Sequence, residues 1–313
     1  MKKIAVVLLA ALTIFAVGCS HQPAVSSVPD SSSGADSLAG TGFFGEDALE
    51  SELADSAVSS APPVSSAASS QAQKSASPAP ESEQPTTVSI TIPEGFTAAQ
   101  IAARLEANKV CSAADFIKMA QTYDFSYYPL VKAIPSSQWR AYKLEGYLYP
   151  DTYQMYLNMK PQDAVGKFLR DAEESISGNY RYSGMTTDSI VTLASLIERE
   201  ATDLENMKLV SSVFHNRLKS GQRLEADATI DYCNLTLFKA NPPFSDDFKY
   251  HYNTYRFSGL PAGPICNPGA NALRAAASPA STDYYYYCTA NGKYYYQKTL
   301  EAHNAKLEEL GLG

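Results

Sequence analysis

Alternating or helical runs of apolar residues are concentrated after residue 87, and they lay out most of the elements. Val88-Ser89-Ile90-Thr91-Ile92 changes face at every residue, which predicts a strand, and Pro93-Glu94-Gly95 turns the chain away from it. Thr97 is placed to cap a helix carrying Ile101, Ala102 and Leu105 on one stripe. Ser112 or Ala113 opens a second, through Phe116, Ile117 and Met119. Leu144 to Tyr153 reads as loop and strand with Tyr147, Tyr149 and Tyr153 on one face, and Pro161 to Ile176 as a helix with Ala164, Phe168 and Ala172 inward. The clearest helical repeat runs from Thr187 to Ala201: Thr187, Asp188 and Ser189 can accept from its free N–H groups, and Ile190, Leu193, Ala194, Ile197 and Ala201 form the stripe. Leu204 to Lys219 is its partner helix, stopped by Gly221. Asn291-Gly292 between two tyrosine runs is a hairpin turn, the tyrosines being strand formers, and Glu301 to Leu310 closes the chain as a helix. The sum is an α+β fold.

The first 87 residues follow other patterns. Lys2-Lys3, an apolar run from Ile4 to Val17 and Ala16-Val17-Gly18-Cys19 make an export signal too short to span a bilayer comfortably. The tetrapeptide resembles a lipoprotein signal, with Ala16 where leucine is more usual, and that resemblance implies lipidation of Cys19. An uncleaved signal anchor is the alternative. Either way the following domain is expected at the cell membrane, on its extracytoplasmic face. Residues 20–87 are Ser, Ala, Pro and acid, a composition that cannot offset its ordering entropy, so a disordered tether is expected.

Charge then changes the picture of partners. The formal net charge is −8, but residues 20–87 hold nine acids against Lys74, also −8; with Lys2 and Lys3 adding +2, residues 88–313 carry only −2. A nearly neutral folded part argues against nucleic acid.

Candidate chemistry sits at the end of the 187–201 helix. At about 100° per residue, Glu198 lies roughly 80° from the stripe centre and Glu200 about as far on the other side. Either carboxyl could be pressed against an apolar wall, where desolvation favours the protonated form and suits it to donate a proton. Periodicity nominates both and does not choose. Glu145 is open to two readings, a substrate contact or an acceptor for backbone N–H groups. Asn253 and Tyr255 offer amide and aromatic groups suited to a sugar, and Asn267 could reach an acetamido group or cap its turn. The four histidines lie far apart, with no metal-ligand spacing, and Cys111, Cys233, Cys266 and Cys288 could pair or stay free.

Five ordered blocks carry a resemblance. They are Leu144-Glu145-Gly146-Tyr147-Leu148-Tyr149-Pro150-Asp151-Thr152-Tyr153, Ala194-Ser195-Leu196-Ile197-Glu198-Arg199-Glu200, Val213-Phe214-His215-Asn216-Arg217-Leu218, Tyr252-Asn253-Thr254-Tyr255 and the run from Gly259 to Gly269. Together they are similar to the endolytic murein transglycosylase family, also called YceG-like. The resemblance implies a LysM-like subdomain over residues 88–135 and a mixed α/β catalytic domain over 136–313, after a signal peptide at 1–19 and the linker at 20–87. It implies Glu198 as the catalytic acid, and Asp227 and Thr229 as cleft residues, although Ala228 stands where proline is usual. It implies a lyase that needs no cofactor or metal, acts on peptidoglycan glycan strands and leaves 1,6-anhydro-N-acetylmuramoyl ends, with glycan synthases as partners. A peptidoglycan-binding lipoprotein without catalysis is the alternative. A pyridoxal-phosphate lyase, a label some relatives have carried, would need a Schiff-base lysine and a phosphate cradle that the sequence does not offer.

Overall fold

The computed structural model describes residues 86–312; the export signal, Cys19 and the linker up to residue 85 lie outside them. β1 (Thr87–Thr91) pairs antiparallel with β2 (Thr152–Tyr156), Ile90 opposite Tyr153. Between them come α1 (Ala98–Ala107), α2 (Ala113–Thr122) and the short α3 (Pro129–Lys132). The Thr97 cap is as the sequence predicts, a capping box in which Gln100 returns a bond to the Thr97 N–H. β1 finds its partner beyond the expected division at residue 135, and α4 (Pro161–Ile176) packs on α2, Phe168 meeting Phe116 edge to face. One apolar core runs across that division.

α5 (Thr187–Glu200) is the centre of the remaining half. Its cap is Thr186, whose hydroxyl accepts from the Ser189 N–H, and Ala201 is already extended. Asp188, expected among the caps, instead accepts from Arg140 (2.9 Å) and from the Tyr147 hydroxyl (2.7 Å). The predicted stripe is too narrow: every residue from Ile190 to Ile197 is buried, Thr192 and Ser195 included. A helix buried all round must be enclosed by other elements. Here they are α6 (Leu204–Ser220), α7 (Asp227–Tyr232) and α9 (Ala270–Ala277). Removing a side chain such as Leu196, fully buried, would cost about 2–5 kcal/mol.

α6 ends at Gly221 with φ +71, the left-handed stop the sequence predicts. Between α7 and α9 lie one π-helical turn (Cys233–Leu237) and α8 (Asp246–Tyr252). The hairpin is β3 (Tyr286–Ala290) and β4 (Lys293–Gln297), followed by α10 (Leu300–Leu310). Among the described residues no helix is long and apolar enough to cross a membrane.

Candidate active site

Glu198 and Glu200 leave the last turn of α5 on opposite flanks, and burial pushes both carboxyls up to about 7. Desolvation is the largest cause for each, as expected for a carboxyl against an apolar wall. Their surroundings differ.

Glu198 faces the turn after β1 and the Pro- and Gly-rich loop that ends at Gly269. Its Oε2 accepts from the Gly269 N–H at 3.0 Å, Gly95 lies against its Cγ, and Glu94 and Arg199 are its charged neighbours. Glu94 fills the space a side chain at Gly269 would need: a Cβ there would come within 1.8 Å of Glu94 Oε1. The two loops are tied by Gly95 N–H to Asn267 O and Asn267 N–H to Phe96 O, both 2.9 Å. α5 holds the loop from below, Ser195 Oγ accepting from the Ile265 N–H at 3.0 Å and Cys266 donating to Ser195 O.

Glu200 faces α7 and β3. Its carboxyl is hydrogen-bonded by the Tyr287 hydroxyl and the Ala228 N–H, and Asp227 and Asp231 are its charged neighbours, both opposing ionisation. Asp227 is exposed and accepts from the Tyr255 hydroxyl, while the Tyr294 hydroxyl donates to Glu200 O at 2.8 Å. Glu200 is thus surrounded by tyrosines and like charge. Glu198 has one like charge and one cation.

The expected substrate contacts divide between these two surroundings and the interior. Asp227 and Tyr255 gather at Glu200, and half-buried Asn253 shapes their turn by accepting from the Tyr255 N–H. Glu145, Thr229 and Asn267 are fully buried and have no surface to offer a substrate, and of the two readings the sequence leaves open for Glu145 and Asn267 the structure takes the structural one. Glu145 takes the other reading, accepting from the Ala98 N–H (2.8 Å), Asn267 Nδ2 (3.1 Å) and the Tyr232 hydroxyl (3.2 Å), with burial pushing it up to about 8. Asn267 accepts from the Leu148 N–H and donates to Phe96 O. Thr229 donates to Ala226 O and meets Thr254, which holds the Asn253–Tyr255 turn against α7. Gly146 completes this framework: at φ +88 its backbone passes so close to Pro264 that a Cβ would lie 2.6 Å from Cγ.

Sequence reasoning missed Tyr287 and Asp231. Tyr287 looks like any other tyrosine in a strand, and nothing in the pattern says that its hydroxyl ends on a carboxylate. Asp231 is simply one turn after Asp227 on a helix too short to register. Among the described residues no group of His, Cys, Asp and Glu is arranged to hold a metal ion.

Three comparisons bear on identity. The model of the YceG-like family matches residues 67–309. A Streptococcus pneumoniae protein named endolytic murein transglycosylase is 27% identical over 252 residues, 73% of this chain and 46% of that protein. A Bacillus subtilis protein of the same name is 34% identical over 172 residues, 53% of this chain and 48% of its own. The crystal structure of a YceG-like protein from Listeria monocytogenes superposes with a TM-score of 0.60 at 32% identity, over 70% of this chain and 75% of that one. This chain spans about half the length of the curated relatives it matches. The family model covers most of the sequence, including both flanks of α5, and the chain belongs to the YceG-like family.

Proposed function

We propose that this chain is an endolytic lytic transglycosylase that cuts peptidoglycan glycan strands between N-acetylmuramic acid and N-acetylglucosamine, with Glu200 as the proton donor. The relatives' name supports the reaction class. The observation that carries the assignment is the surroundings of Glu200, a carboxyl held near neutrality by burial and by Asp227 and Asp231, with Tyr287 and the Ala228 N–H fixing its position. A hydrolase would need a second carboxyl to attack or to activate water. A lyase does not: Glu200 protonates the glycosidic oxygen as the C1–O bond breaks, the substrate's C6 oxygen closes on C1, and the C6 hydroxyl proton returns to Glu200. No water is consumed and a 1,6-anhydro ring remains. The charge of Asp227, anchored by Tyr255, favours the proton on Glu200 beforehand and stabilises the positive charge that builds at C1 as the bond breaks. The resemblance by itself implies Glu198, whose Arg199 neighbour favours the ionised form.

We further propose that Cys19 is lipidated and that residues 20–87 tether the folded part to the outer face of the membrane, close to glycan synthases. Fatty-acid labelling lost in Cys19→Ala supports the anchor, and labelling that persists removes it. For the reaction, purified peptidoglycan digested with the protein and read by mass spectrometry is expected to yield anhydro ends, and none with Glu200→Gln. Peptidoglycan that binds but yields no anhydro ends with the native protein would reduce the chain to a binding lipoprotein.

A further inference from the structure

A second surface with the makings of a saccharide site lies away from both glutamates. An open cleft of about 550 Å³ runs between the segment after α2, the exit of β2 and one face of α4, and it shares no residue with either flank of α5. Its volume falls within the range of about 300–1,000 Å³ usual for ligand clefts. Its rings are Tyr127, Tyr128 and Tyr156, of which Tyr127 is 62% exposed and Tyr156 42%. Large aromatic rings left in water beside a cleft call for an explanation, because burying them would be favourable. Tyr127 and Tyr128 lie with centroids 4.8 Å apart, and the Tyr128 hydroxyl donates to Gly166 O, which fixes that ring against α4.

The cleft is also cationic. Lys160, Lys167 and Arg170 line it against Asp163 alone, a local balance of +2 on a folded part that carries −2. None of the three cations is ion-paired to a carboxylate among the described residues. Lys167 instead stands 5.9 Å from the centre of the Tyr156 ring. Glycine at 166 leaves the α4 wall open, since a Cβ there would touch nothing closer than the Tyr128 hydroxyl at 3.9 Å.

We propose that this cleft is a holding site for the peptidoglycan strand, the tyrosine faces receiving the apolar faces of its sugars and Lys160, Lys167 and Arg170 the carboxylates of its peptide stems. This rests on the proposed function, which supplies a long polymer as substrate: an enzyme that cuts within a polymer gains by gripping it away from the cut, because the second contact is then intramolecular. A nucleic acid would also meet rings and cations, but the folded part's small negative charge disfavours it.

The test is cosedimentation of the full chain carrying Glu200→Gln with insoluble peptidoglycan, so that the polymer stays intact. Adding Tyr127→Ala and Tyr156→Ala, or Lys167→Glu and Arg170→Glu, is expected to weaken binding on the order of tenfold. Gly166→Leu should do the same by filling the cleft, and it does so without removing any contact and while raising helix propensity. Peptidoglycan stripped of its stems by an amidase should bind more weakly to the parent and no differently to the charge-reversed variant. Binding that is unchanged in all three variants, or equal for stripped and intact polymer, overturns the proposal. Anhydro-end formation by the native chain is scored separately, so a failed cleft and a failed reaction cannot be confused.

Discussion

The two flanks of α5's last turn present the same residue type, on the same helix, with the same upward push from burial, and yet offer different chemistry. Glu198 sits beside two loops whose mutual bonds belong to the framework, and it shares its niche with Arg199. Glu200 borders exposed Asp227 and half-buried Tyr255, with no cation among its principal neighbours. A raised carboxyl alone therefore does not mark a catalytic acid. Glu145 is pushed higher than either and has no access to anything outside the protein. What separates the three is which other groups share the space, and whether a substrate can reach it.

Gly146→Ala should have the largest effect, because it disturbs the framework under both flanks. A Cβ at φ +88 and 2.6 Å from Pro264 adds backbone strain to overpacking, together about 2–4 kcal/mol, to be read by denaturant unfolding. Glu145→Gln tests the interior acid. Its native pKa is raised from 4.5 to about 8, so the folded state holds a proton that the unfolded state has released, and stability falls as pH rises between those values. The slope should reach about 1.4 kcal/mol per pH unit and flatten in the variant. Asp227→Asn removes like charge from Glu200. The alkaline limb of the rate, expected near pH 7, should move to lower pH by up to about one unit. Gly269→Ala pushes only against the flexible end of Glu94 and should disturb the Glu198 flank alone, leaving the rate within about threefold of native.

Much of this was legible in the sequence where periodicity is long. The Pro161–Ile176 helix, the Gly221 stop and the Asn291-Gly292 hairpin need only local rules. The Thr187–Ala201 repeat gives the helix but understates its burial, since Thr192 and Ser195 look polar in a sequence and are buried, Ser195 beneath the loop whose Ile265 N–H it accepts. Two acids were nominated because two are equally off-stripe. Choosing between them needs residues that sequence distance conceals: Asp227 and Tyr287 reach Glu200 from elements far along the chain. Glu145 and Asn267 each carry two readings in the sequence, and only the fold shows that their polarity serves to join α1, the loop before β2 and the loop before α9.

The account stands on Glu200 being the group that gives up the proton. The direct test is the rate of anhydro-end formation by Glu200→Gln and Glu198→Gln in one assay at pH 7. A loss of about 10²–10⁴-fold is expected for Glu200→Gln and a change of less than about threefold for Glu198→Gln. The reverse order would move the acid to the other flank of the helix and contradict the reading given to its surroundings.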